Sequence, residues 1–106
     1  MAGGHLNQFL QQYRQSAPQL GDDQTDEELL RRFATARDDR AFEVLVRRYG
    51  PMVLGVCRRL LRDGHAADDA FQATFMVLVR KAGTLSRPHL LGNWLYGVAY
   101  RVAVKA

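Results

Sequence analysis

Bond-making chemistry needs nucleophiles, general bases or metal ligands held close together, and this chain keeps such residues apart. Cys57 is its single cysteine. It recurs with Val53, Val56 and Leu60 at helical spacing, the pattern of a small core residue rather than a nucleophile. His5, His65 and His89 fall at no metal or triad spacing. His65 and Asp69 share a face four residues apart, for which a histidine at a helix start is the simpler reading. No glycine-rich phosphate loop occurs. The pattern points away from an enzyme, a metal centre and a bound cofactor. Recognition chemistry is better represented, and it gathers between positions 65 and 105. Asp68, Asp69, Gln72 and Met76 can meet a basic partner helix, since carboxylate and amide oxygens accept from arginine forks and methionine adapts its shape. The same residues also read as carboxylates complementing a helix dipole beside a solvated glutamine, and spacing alone leaves both readings open. Ser86, Arg87, His89 and Asn93 can hydrogen-bond an extruded base, and Arg80, Lys81, Arg101 and Lys105 can meet phosphates. Trp94, Tyr96 and Tyr100 carry rings on which bases can stack, although Trp94 beside Leu95 is more often a core residue. Leu90 and Leu91 read as anchors of a loop.

Two helices and the loop between them must position these groups. Phe71, Phe75, Leu78 and Ala82 recur at steps of four, three and four and share one face of a helix starting near His65. Asp69, Gln72 and Met76 occupy another face. Leu95, Val98, Val102 and Ala106 form the apolar stripe of a second helix, with Asn93, Tyr96, Tyr100 and Arg101 away from it. Between them, residues 83–92 form a loop of about ten residues, because Pro88 biases Arg87 towards extended backbone and a glycine stands at either end.

Upstream the chain reads as helices throughout. Leu6, Phe9, Leu10 and Tyr13 mark a short amphipathic helix that either packs on the main bundle or serves as a partner-binding arm. Residues 16–24 have linker composition. Thr25 and Glu28 form a capping box that starts a helix near Asp26, with Leu29, Leu30, Phe33 and Ala34 inward and an end near Arg37. Asp38 or Asp39 can cap the next, with Phe42, Leu45, Val46 and Tyr49 inward. Gly50-Pro51 interrupts before Val53, Val56, Cys57, Leu60 and Leu61 resume the stripe, so one kinked helix and two separate helices are both open. No segment alternates as a strand does. The expectation is an all-α bundle of about four core helices plus the short N-terminal one, divided as an extension over 1–24 and a domain over 25–106. At Ala106 the helical stripe is still running, which leads us to expect a fragment of a longer protein.

Charge is distributed unevenly. Residues up to Glu43 carry a net −3 and those from Val44 onward a net +7, with no carboxylate after Asp69. An acidic helix start thus gives way to a basic, aromatic half suited to a polyanion, and two partners are the simplest explanation. No leader pattern and no apolar run approaching the ~18 residues of a membrane span is present, so a cytoplasmic location is expected.

Taken together, AFEVLVRRYGPMVLGVCRRLLRDGHAADDAFQATFMVLVRKA and LLGNWLYGVAYRVA resemble region 2 of bacterial sigma factors, specifically the extracytoplasmic-function group, over about Thr25 to Ala106. The resemblance implies a helical domain without catalytic activity of its own. Its helix bearing Asp68, Asp69, Gln72, Ala73 and Met76 would dock on the β′ clamp helices of core RNA polymerase. Ala73 stands where many relatives carry Glu. The following loop and helix would capture the non-template single strand of the promoter −10 element during melting. In that scheme Ser86 to Asn93 form the pocket, Arg80, Lys81 and Arg101 hold the backbone, and Trp94 braces the loop from below. Such factors normally add a helix-turn-helix domain for the −35 element, and many are held inactive by an anti-sigma protein that masks the docking face. A helical module or sigma-like regulator that binds protein but not DNA is the alternative.

Overall fold

The computed structural model of the protein describes residues 2–11 and 23–106, except the side chains of residues 2–5. Its helices are α1 (Ala2–Gln11), α2 (Asp26–Ala36), α3 (Asp39–Leu60), α4 (Gly64–Lys81) and α5 (Leu91–Lys105), with one 3-10 turn at Pro88–Leu90. No strand occurs among the described residues, and none of their helices is long and apolar enough to cross a membrane. Helices α2–α5 and the short α1 match the architecture expected from periodicity. Tyr13 and most of the expected linker lie outside the described residues.

Side-chain caps set the helix starts. The Glu28 N–H donates to Thr25 Oγ1 at 3.2 Å and opens α2. Arg37 closes α2 in the left-handed conformation (φ 52°), its N–H returning to the Phe33 carbonyl and that of Asp38 to the Arg32 carbonyl. The Arg37 guanidinium lies 4.7 Å from the Phe33 ring centre. Asp38, not Asp39, caps α3. Its carboxylate accepts from the Arg40 and Ala41 N–H groups and from Arg32 Nε at 3.0 Å. The hydrogen bond from Arg32 leads the causes that hold this carboxyl below the usual range.

Helix α3 is the centre of the bundle, packing against α2, α4 and α5. It runs unbroken through Pro51, which decides for one long helix over two separate ones. Leu45, Val46 and Gly50 before the proline share a buried face with Val53, Leu54 and Cys57 after it. Burial of that face outweighs the intrahelical hydrogen bond that proline removes. Phe33 of α2, Phe42 of α3 and Phe75 and Phe71 of α4 form a connected aromatic series through the core, with ring centres 5.1, 6.3 and 5.1 Å apart. Cys57 is fully buried, and that burial pushes its thiol pKa up. Leu60, expected beside it, is 42% exposed.

Helix α5 corrects its expected stripe. The residues that pack inward are Leu91, Leu95, Val98, Ala99 and Ala103, whereas Val102 is half-buried and Ala106 is exposed beyond the helix end. The helix also starts at Leu91, directly after the 3-10 turn, so the expected ten-residue loop is nonhelical only over 82–87. Helix α1 packs on α4 and α3, burying Leu6 and Leu10 and setting the Phe9 ring 5.5 Å from the Arg47 guanidinium.

Candidate docking face and nucleic-acid interface

Asp63 caps α4 by accepting from the His65 N–H at 3.0 Å. The α4 core face of Ala67, Phe71, Thr74, Phe75 and Leu78 then turns the opposite face outward. Thr74, the one polar residue buried there, donates to the Ala70 carbonyl at 2.8 Å. On the outward side Asp68, Asp69 and Ala73 are exposed, while Gln72 and Met76 are half-buried. Asp69 and Ala73 border an open groove of ≈ 440 Å³ whose far wall is Val102, Lys105 and Ala106 of α5. Lys105 therefore stands with the acidic face and apart from the other candidate phosphate ligands.

One helical pitch further along α4, the chain builds a deeper feature. The Thr84 N–H donates to the Lys81 carbonyl at 2.9 Å, turning the chain out of α4. Arg87 takes a non-helical conformation short of fully extended (φ −132°, ψ 71°) ahead of Pro88, and the Leu90 N–H returns to the Arg87 carbonyl at 2.9 Å. Leu91 is fully buried and pins the loop to the core. Leu90, expected to do the same, is 37% exposed and faces a depression instead. That depression measures ≈ 650 Å³. Ser86, Arg87 and Leu90 form its loop side, Val77 and Lys81 its α4 side, and Asn93, Trp94, Val98 and Arg101 its α5 side. Trp94 is half-buried, packed on the core and forming part of this wall, as its two competing readings each required in part.

The electrostatics are one-sided. Among the described residues no carboxylate pairs with Lys81, Arg87 or Arg101, and the sequence contains none after Asp69 to do so. By contrast Arg32 pairs with Asp38, and Arg48 with Asp26 at 2.7 Å. Arg80, His89 and Tyr100 are exposed but do not wall the depression. The structure thus brings together Lys81, Ser86, Arg87, Asn93 and Arg101 and leaves Arg80, His89, Tyr100 and Lys105 outside.

A third cavity has no counterpart among the features read from the sequence. Arg48, Tyr49 and Met52 of α3 and Gly92, Asn93 and Tyr96 of α5 line an open groove of ≈ 560 Å³. The Tyr49 hydroxyl donates to the Asp26 carboxylate. Burial, reinforced by that bond, pushes the Tyr49 pKa up to about 12. A Cβ on Gly92 would meet the Tyr49 ring at 3.1 Å, so glycine permits the close approach of α5 to α3 here. Pairing of residues more than forty positions apart leaves no local signal.

Fold and site define a helical domain that carries an acidic helix face and a cation-rimmed depression. The family model described as Sigma-70 region 2 matches residues 45–106, and the chain belongs to that family. It is 35% identical over 74 residues to the RNA polymerase sigma factor CarQ of Myxococcus xanthus, an overlap of 70% of this chain and 42% of that protein. It is 32% identical over 78 residues to the RNA polymerase sigma-H factor of Pseudomonas aeruginosa, covering 74% and 40% of the two. The chain spans less than half the length of these curated relatives. No solved structure gives a significant match.

Proposed function

We propose that this domain acts in transcription initiation, docking on core RNA polymerase and capturing unpaired non-template bases of the promoter −10 element. The docking surface is the α4 face of Asp68, Asp69, Gln72, Ala73 and Met76, whose acids suit the basic helix of a clamp. The observation that carries the reading is the depression beside it: an open cavity of base-accommodating size, rimmed by cations that have no carboxylate partner among the described residues. A base turned out of its stack enters between Ser86, Leu90 and Asn93, while Lys81, Arg87 and Arg101 meet the flanking phosphates. That contact free energy offsets unstacking, which costs a few kcal/mol per base. Polymerase supplies the bond chemistry, and the domain works in the cytoplasm with it. An anti-sigma protein would act by covering the same α4 face.

The test is fluorescence anisotropy of labelled single-stranded −10-like oligonucleotides with the chain bound to core polymerase. Binding should appear and weaken with salt, because phosphate contacts release counterions. Absent or salt-insensitive binding would favour a helical module that recognises protein alone. Asp69→Arg and Gln72→Ala should each abolish polymerase capture with an unchanged melting curve. Retained capture in both rejects the α4 face.

A further inference from the structure

Helix α1 lies outside the residues that the family model matches, yet it packs on α4, the helix that carries the candidate docking face. Its place there follows from how the rest of α4 is used. One flank, Ala66, Ala70, Ala73 and Val77, lines cavities shared with α5. Phe71, Phe75 and Leu78 point into the core, where Phe75 meets Phe42 of α3. On the flank opposite α5, Gln72, Met76 and Val79 recur at steps of four and three and are all half-buried. Among the described residues α1 is the one further helix packed closely on α4, so it is α1 that covers this flank. We propose that α1 is a resident cover on the polymerase-docking face, which must leave before Gln72 and Met76 can seat against a partner helix. This rests on the docking reading above and adds its regulation.

The cover is built to be displaced. Leu6 and Leu10, one turn apart, are buried, with Phe9 half-buried beside them. A ten-residue helix held by so narrow a stripe is marginal by itself and depends on the surface beneath it. It contains no Asp, Glu, Lys or Arg, so nothing in it competes with a charged partner for Asp68 and Asp69, both of which stay exposed. A basic helix would thus be drawn to those acids while α1 is still in place. Full seating would then exchange α1 for the partner over Gln72, Met76 and Val79. Residues 12–25 join α1 to α2, which keeps a released α1 at hand to close again.

The experiment titrates core RNA polymerase onto the full chain and follows hydrogen exchange of the α1 amides with and without it. In the wild type those amides should be protected in the free chain and lose that protection in the complex. Leu6→Asp combined with Leu10→Asp puts carboxylates into the buried stripe and should tighten capture about tenfold, the gain when an open state populated at about 10% becomes the dominant one. A synthetic peptide of residues 2–15 at about 1 mM, the effective concentration of a tethered segment, should reverse that gain. Should the aspartates unfold the chain, the wild-type exchange decides by itself. Unchanged or weaker capture by a variant that keeps its fold, or α1 protection retained in the complex, overturns the cover while leaving the α4 docking face intact. If neither the wild type nor the variant captures polymerase, the docking reading falls and the cover with it.

Discussion

Replacing Arg101 by glutamine removes one of three cations around the loop depression while keeping a long polar side chain. Arg101 is exposed and has no ion-pair partner among the described residues, so the fold should lose no more than about 0.5 kcal/mol. Each phosphate neutralised on a single strand contributes about −0.7 to the slope of log affinity against log salt. Contacts from Lys81, Arg87 and Arg101 would weaken binding about 18-fold between about 50 and 200 mM salt, and two of them about 7-fold. Polymerase adds phosphate contacts of its own, but these are common to both proteins. The difference in slope, about 0.7, is thus the readout, taken by anisotropy of the −10-like strand on the polymerase-bound chain. Arg80→Gln serves as the control, since Arg80 is exposed but does not wall the depression. An unchanged slope for Arg101→Gln, or an equal change for Arg80→Gln, would refute the assignment of the phosphate path.

Two further predictions concern the framework that holds the site. The Tyr49 pKa is raised to about 12, so the neutral phenol is the form the fold favours. Its contribution is fully present below the ordinary tyrosine value near 10 and is lost as pH climbs through 12. Tyr49→Phe should cost about 1.5–3 kcal/mol near neutrality, the worth of a hydrogen bond to a charged group. In urea titrations from pH 8 upward, the gap between wild type and variant should then close with rising pH; a gap that stays constant would contradict the Asp26 contact. Leu91 is fully buried at the base of the loop, and Leu91→Ala should lower stability by about 2–5 kcal/mol in thermal melts. DNA capture should fail in that variant at temperatures where polymerase docking persists, because α4 does not depend on Leu91 for its start or its caps.

Much of the bundle was legible because periodicity and capping are local. Thr25, Asp38 and Asp63 each sit before an apolar stripe and each accept a backbone N–H at a helix start. The α4 residues expected inward, Phe71, Phe75, Leu78 and Ala82, are all buried. Pro51 was ambiguous because proline's local cost competes with a buried face extending on both sides of it, and only packing sets the balance. The inward face of α5 was legible only at Leu95 and Val98, for a related reason. That helix has apolar residues around much of its circumference, so spacing permits more than one stripe, and contact with α3 and α4 selected the one through Leu91, Leu95, Ala99 and Ala103.

The helical class, the family and the separation of an acidic helix start from a basic, aromatic second half follow from residue order alone, since composition and period need no partner to be read. Which cations converge was settled only in three dimensions. Lys81, Arg87 and Arg101 come from three different elements and meet because α4, the loop and α5 pack together, while Arg80 and Lys105 are turned elsewhere around their helices. The α3–α5 groove arose in the same way. Its walls lie forty or more residues apart, and a glycine at position 92 lets them approach closely enough to leave a shaped space between.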